Sequence, residues 1–199
     1  KDWIDRRFMG RFVDFPAMET TDPETPDVAS SEDIQELTSA AMRCGGCGSK
    51  VGASMLDRVI SRLEPIQRDE VLVGLNAPDD ASVESIPEGK LVVQSVDAFR
   101  SMVDDCYLFG RITANHCLSD LYAMGADPQS ALAIASIPFG LEHKMETQLE
   151  EVLAGGISVL NHAGAALVGG HTNEGAELTL GFAVTGTINR GDYLTKQGL

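Results

Sequence analysis

Positive charge is in short supply in this chain: 15 Lys and Arg stand against 30 Asp and Glu, a net charge of −15 over 199 residues. Such a surface repels phosphate backbones and anionic lipid headgroups, so nucleic acid and membrane surfaces are excluded as partners. A nucleotide could still bind, given a divalent cation and a few local donors. Long apolar runs are missing too, none approaching the roughly 18 residues of a membrane span, and no secretory signal pattern opens the chain. Cysteine is scarce, at positions 44, 47, 106 and 117. With 43% hydrophobic residues the chain can build a core without disulfide staples, which predicts a reducing, cytoplasmic setting. There is no Walker A pattern, and no GxGxxG follows a strand and opens a helix. ATP binding, if present, therefore lies outside the P-loop and Rossmann schemes.

What is present is unevenly distributed. Residues 1–15, KDWIDRRFMGRFVDF, mix aromatic and basic side chains and read as the tail of a preceding domain. Residues 16–35 are poor in apolar residues and carry three prolines, a composition that cannot repay the entropy of ordering. They are expected to be a mobile linker. The compact part is expected over 36–190, with 191–199 starting a connection to a further domain. A first residue of Lys1 and a polar end at Leu199 give the same expectation, a piece of a longer polypeptide.

Within the compact part, Val51, Met55, Leu56, Val59, Ile60 and Leu63 recur at helical spacing. Strands are predicted at 71–75, 81–86, 90–97, 131–137, 166–168 and 178–188. Helices are predicted at 108–124, stopped by Gly125, and from Glu142 to about His162 with an acidic outer face. The interleaving predicts an α+β or mixed α/β domain, a sheet packed with helices. A mixed sheet of this size leaves edges and one face to cover, which predicts a homodimer built through the sheet.

Three groups of residues could carry chemistry. In Cys44-Gly45-Gly46-Cys47-Gly48-Ser49-Lys50 the glycines free the backbone to wrap a small anion, ahead of a helix N-terminus. Cys47 beside Lys50 would have its thiolate favoured by that lysine and by the helix dipole. A redox pair, half of a zinc site and a purely structural loop remain open alternatives, although Cys106 and Cys117 are too widely spaced to complete a zinc knuckle. Those two cysteines are expected in or beside the core. The second group is acidic: Asp79 and Asp80 in a turn, Asp97 late in a strand, Asp104 and Asp105 after it, and Asp120 inside a helix with mostly apolar neighbours. DD in a loop is usually just solvated, but Asp97 and Asp120 in apolar settings call for a cation, and Mg²⁺ suits hard oxygen ligands beside polyphosphate. The third group is Gly169-Gly170-His171, read as a glycine turn at a strand end where backbone and imidazole could approach a ligand, or as a tight turn alone. His116, His143 and His162 receive no role.

Taken in order, CGGCGSK, DDAS, SVDAF, VDDCYLFGRITANHCLSDLYAMGADP, ALVGGHT and LGFAVTGTI resemble the selenophosphate synthetase family, part of the aminoimidazole ribonucleotide synthetase superfamily. The likeness covers about residues 40–190, and the cysteine–glycine loop with its lysine is its discriminating mark. It implies the N-terminal ATP-binding domain of that superfamily, acting on ATP and selenide. By the same likeness Cys47 and Lys50 are catalytic, and Lys50 also contacts ATP. Asp80 and Asp120 are implied as Mg²⁺ ligands, and Asp79, Asp97 and Asp120 as residues facing the nucleotide. Gly169, Gly170 and His171 are implied as an ATP-contacting segment supplied across a dimer interface. Ser49 stands where some members place a second cysteine, which removes support for a two-thiol loop. The family's second α/β domain, with a DVTGFG-like motif, does not occur before Leu199. The opening KDWIDRRFM is similar to the tail of pyridine-nucleotide flavoproteins, implying a fused flavoprotein domain upstream.

Overall fold

The computed structural model describes residues 51–196. Cys44, Cys47, Lys50 and the linker at 16–35 lie outside the described residues. Contacts divide the chain into units at Lys1–Met42 and Arg43–Leu199, and every described residue belongs to the second.

The elements run α1 (Ala53–Ile60), β1 (Val71–Val73), β2 (Val83–Glu84), β3 (Lys90–Arg100), α2 (Cys106–Ala123), β4 (Asp127–Pro138), α3 (Glu142–His162), β5 (Ala166–Gly175) and β6 (Thr179–Asn189). The long strands form one four-stranded sheet of order β3-β6-β4-β5, in which only the β4–β5 pair is parallel. A parallel neighbour requires a crossover, and α3 supplies it. β1 and β2 form a separate two-stranded ribbon. This is the expected mixed α+β domain, a sheet packed with helices.

One face of the sheet is covered. Leu180, Phe182 and Val184 of β6 and Ala131, Ala133, Ala135 and Ile137 of β4 alternate toward it and are buried, as strand periodicity requires. Phe109, Leu118 and Leu121 of α2 and Leu149, Val152, Ile157 and Leu160 of α3 complete this core. The helices come close enough that side chains at the crossing must be absent. A Cβ on Gly110 would collide with the Val152 carbonyl oxygen, and one on Gly155 with the Tyr107 carbonyl oxygen. The opposite face is open, with Val92 and Val96 of β3 and Leu132 and Ile134 of β4 exposed on it.

Helix boundaries follow local chemistry. Asp105 caps α2, its carboxylate accepting from the Leu108 N–H at 2.8 Å, and this moves the start two residues ahead of Leu108. Gly125, at φ +77°, ends α2, with the Ala126 N–H returning to the Leu121 carbonyl at 2.8 Å. Cys117 is buried and Cys106 half-buried, as expected. Burial raises the pKa of both thiols above the usual range.

β5 differs from expectation. It runs through Val168-Gly169-Gly170-His171 to Gly175, so the glycine pair lies inside a strand and makes no turn. The ladder to β4 explains this: Val168 is an extra residue between the Leu167–Ala131 and Gly169–Leu132 pairs, and pairing then continues to Pro138–Gly175. Gly170 is obligatory there, because a Cβ would collide with the Ala133 carbonyl oxygen.

Candidate active site

A cavity of about 860 Å³ opens beside β4 and β5. Its walls are mostly apolar: Leu56, Ile60 and Leu63 on the α1 side, Leu132 and Ile134 on β4, and Leu167 on β5. Asp79, Asp80 and Ser82, from the loop between β1 and β2, border it, as do Gly169, Gly170, His171 and Thr172 of β5. Five residues singled out from the sequence, Asp79, Asp80, Gly169, Gly170 and His171, therefore meet around one space within a single chain. An apolar hollow with a few convergent polar groups is the ordinary form of a small-molecule site.

The wall made by α1 is fixed electrostatically. Arg58 donates to Glu146 at 2.6 Å and to Glu142 at 2.6 Å, while Arg62 meets Glu146 at 2.8 Å and Glu150 at 2.7 Å. Arg58 lies in α1 and Arg62 in the turn just past its end, while Glu142, Glu146 and Glu150 are spaced one turn apart along α3, so the two arginines meet a row of opposite charge. The acidic outer face expected on α3 is thus partly a docking strip for α1. Hydrogen bonds from Arg58 and then Arg62 hold the Glu146 carboxyl below the usual carboxylate range, against its own desolvation. The segment after α1 is tied by Asn161, which accepts from the Ile66 N–H at 2.9 Å and donates to the Glu64 carbonyl at 2.9 Å.

Within the Asp79–Asp80 loop the Asp80 N–H donates to the Asp79 carboxylate at 2.8 Å, and both residues are exposed. His171 is also exposed and pairs across the ladder with Ile134, placing it toward the open face. A Cβ on Gly169 would press against the Leu132 side chain at 3.2 Å, so the bare backbone here keeps the cavity floor open.

Asp97 and Asp120 are not part of this cavity. They lie where α2 crosses β3, Asp97 on the strand and Asp120 on the helix. Asp120 accepts from the Ser95 hydroxyl at 2.5 Å, and Asp97 lies 3.9 Å from the His116 imidazole. Contrary to expectation, Asp120 does not stand in apolar surroundings but is exposed. Its apolar sequence neighbours Leu118 and Leu121 point inward, whereas Asp120 shares the solvent strip of α2 with His116. Asp97 is likewise only half-buried. No group of three or more His, Cys, Asp or Glu residues placed to hold a metal occurs among the described residues.

Two residues of this second cluster were not anticipated. His116 packs edge-on against the Phe99 ring, with centroids 4.7 Å apart, which directs its imidazole toward Asp97. Its four-residue spacing from Asp120 was the available signal, since that spacing shares a helix face. Ser95 could have been found from its two-residue spacing to Asp97 on one side of a strand.

A four-stranded mixed sheet backed by two helices, with its cavity at a glycine-bearing strand, defines the class of domain. The family model for AIR synthase related proteins, N-terminal domain, matches residues 78–188, and the chain belongs to that family. Within it, a curated relative from Nitratidesulfovibrio vulgaris (strain DP4), described as selenide, water dikinase, is 39% identical over 168 residues, covering 83% of this chain and 47% of the relative. Another relative of the same description reaches 46% identity over 145 residues. The chain spans about half the length of the curated relatives it matches. Among solved structures, thiamine-monophosphate kinase from Stenotrophomonas maltophilia K279a superposes with a TM-score of 0.58 at 28% identity, covering 73% of this chain and 45% of that one. The hydrogenase maturation protein HypE in complex with ATP superposes with a TM-score of 0.55 at 22% identity, over 73% and 43% of the two chains, and shares the fold. Among the described residues, no helix is long and apolar enough to cross a membrane.

Proposed function

We propose that this chain is the ATP-binding part of a cytoplasmic selenide, water dikinase, which makes selenophosphate from selenide, ATP and water with AMP and phosphate as co-products. The observation that carries the reading is the convergence of Asp79 and Asp80 with Gly169, Gly170 and His171 on one cavity, in a chain related to enzymes of that description. The Asp79 and Asp80 carboxylates are exposed at the rim, and no Lys or Arg among the described residues forms an ion pair with them. That donor set fits Mg²⁺, which takes one or two carboxylates and completes its shell with water and phosphate oxygens. When bound, the ion would offset polyphosphate charge during phosphoryl transfer.

Asp80 and Asp120 are assigned to the metal, and Asp79, Asp97 and Asp120 to the nucleotide. β3 and β5 are three strand steps apart, roughly 14 Å at the usual strand spacing. Asp97 and His171 of one chain therefore do not face a common phosphate. The exposed Val92, Val96, Leu132 and Ile134 support a homodimer through the open sheet face, which would set the cavity rim, with Gly169, Gly170 and His171, against the partner's nucleotide. His171 would donate to a phosphate oxygen, and the bare backbone at Gly169 and Gly170 would admit it closely. Lys50 would stabilise the negative charge developing on the transferred group, and Cys47 would handle the selenium nucleophile. Both rest on the sequence resemblance.

Calorimetric titration with ATP, with and without Mg²⁺, tests the reading. Metal-dependent binding weakened by His171→Ala is expected, and absence of binding in both conditions refutes it. This chain alone is expected not to turn over, so the alternatives, a nucleotide-binding dimerisation module without turnover or another small-molecule kinase of the superfamily, are separated by joining it to the remaining half of a selenide, water dikinase and assaying selenide-dependent AMP release, which neither alternative gives.

A further inference from the structure

The loop bearing Asp79 and Asp80 hangs from a ribbon too small to hold itself. β1 has three residues and β2 two, with a register shift between their only two pairs, Val71–Glu84 and Val73–Val83. A two-stranded ribbon of that size is not independently stable. At its base, the Glu84 carboxylate accepts from the Ser130 hydroxyl at 2.9 Å on one oxygen and from the Gln129 amide at 3.0 Å on the other. The same amide lies 3.4 Å from the Ser85 carbonyl.

Gln129 and Ser130 are consecutive residues of β4, and neighbours on a regular strand point to opposite faces. Here the ladder to β6 slips between Pro128–Gly186 and Ser130–Thr185, leaving Gln129 as the extra residue of a bulge. The bulge turns both side chains to one carboxylate. Gln129 is 1% exposed and Ser130 2%, so two buried donors converge on Glu84, the Ser130 hydroxyl with no other acceptor among the described residues and the Gln129 amide with the Ser85 carbonyl as a second one.

We propose that Glu84 is a positioning residue: through the β4 bulge it clamps the β1–β2 ribbon and so sets the Asp79–Asp80 loop at the cavity rim. Its bearing on metal–nucleotide binding rests on the function proposed above. The test compares the intact chain with Glu84→Gln, which keeps the shape but turns an NH₂ toward one of the two donors, and with Glu84→Ala. Amide exchange is read over residues 75–82 and, as an internal reference, over α2 and α3. Ten-fold or faster exchange in the loop with unchanged helices is expected in both variants, larger in Glu84→Ala. The double variant Glu84→Gln/Gln129→Glu, which moves the carboxylate to the other side of the contact, should recover part of the protection. Mg²⁺–ATP affinity is measured on the same proteins and should fall about ten-fold in Glu84→Gln. Unchanged loop exchange overturns the clamp whatever the nucleotide does. Faster loop exchange with undiminished affinity overturns the positioning role. If the unaltered chain binds no nucleotide, the proposed function falls and the exchange comparison alone decides the clamp.

Discussion

Replacing Gly110 by alanine sets two effects of opposite sign against each other. An interior helical Gly→Ala change should stabilise by about 1 kcal/mol through helix propensity alone. At Gly110, however, the new methyl would fall on the Val152 carbonyl oxygen, and the obstacle is backbone, which no rotamer change can move. α2 and α3 must separate instead, loosening the packing of Phe109 and Leu149, both fully buried. Overpacking a core costs about 1–3 kcal/mol, and the backbone obstacle puts this site at or above the upper end. The net expectation is destabilisation by ~2 kcal/mol, or a melting temperature lower by roughly 4–8 °C for a chain of this size. Gly155→Ala should behave alike, since its methyl would meet the Tyr107 carbonyl at the same crossing. The double variant should cost less than the sum, because one separation relieves both collisions. Gly52, with nothing within 4 Å of a built Cβ, supplies the control, and its change to alanine should move stability by less than about 0.5 kcal/mol. Urea titration and thermal melts followed by circular dichroism give these values. If Gly110→Ala is as stable as the unaltered chain or more so, the helices do not cross as closely as described.

His171→Ala should weaken Mg²⁺–ATP binding ten-fold or more by calorimetry while leaving the melting temperature unchanged, because His171 is exposed. Gly170→Ala should instead lower the melting temperature, its methyl colliding with β4. The Glu146 carboxyl is held low in the folded state, so its contribution is present above the ordinary glutamate range and lost as pH falls through the folded value. Urea midpoints of the unaltered chain and Glu146→Gln should accordingly differ at pH 7 and converge in strong acid. Alkylation near neutral pH, followed by mass spectrometry, should label Cys47 faster than Cys44, with Lys50→Ala slowing Cys47 selectively. Cys117, buried and raised in pKa, should stay unlabelled until the chain unfolds.

Periodicity located the elements well because most strands and helices here bury one regular face. α3 was readable to its ends, and β6 nearly so. The failures occur where tertiary partners override local signals. Gly169-Gly170 reads as a break, yet β4 supplies a parallel ladder that carries the strand through it. Asp120 has apolar neighbours in sequence but not in space, since an 18-residue helix turns Leu118 and Leu121 inward and the carboxylate outward. The spacings Ser95–Asp97 and His116–Asp120 are legible in the sequence, since each places its pair on one side of a strand or helix. The bulge at Gln129 was not legible at all, because it arises from a register slip against β6, a strand that begins about fifty residues later. Identity and spacing thus find which residues matter more readily than which of them meet.

The order β3-β6-β4-β5 carries a kinetic consequence. The strand synthesised last is inserted between two made much earlier, and Lys90 waits for Asn189 before it has a ladder partner. Until then β3 has no neighbour in the sheet, and only the β4–α3–β5 segment can close through contacts nearby in sequence. Folding of this domain should therefore be slow for its size, governed by a late long-range closure, and the nascent chain would leave the backbone of β3 unpaired until β6 emerges.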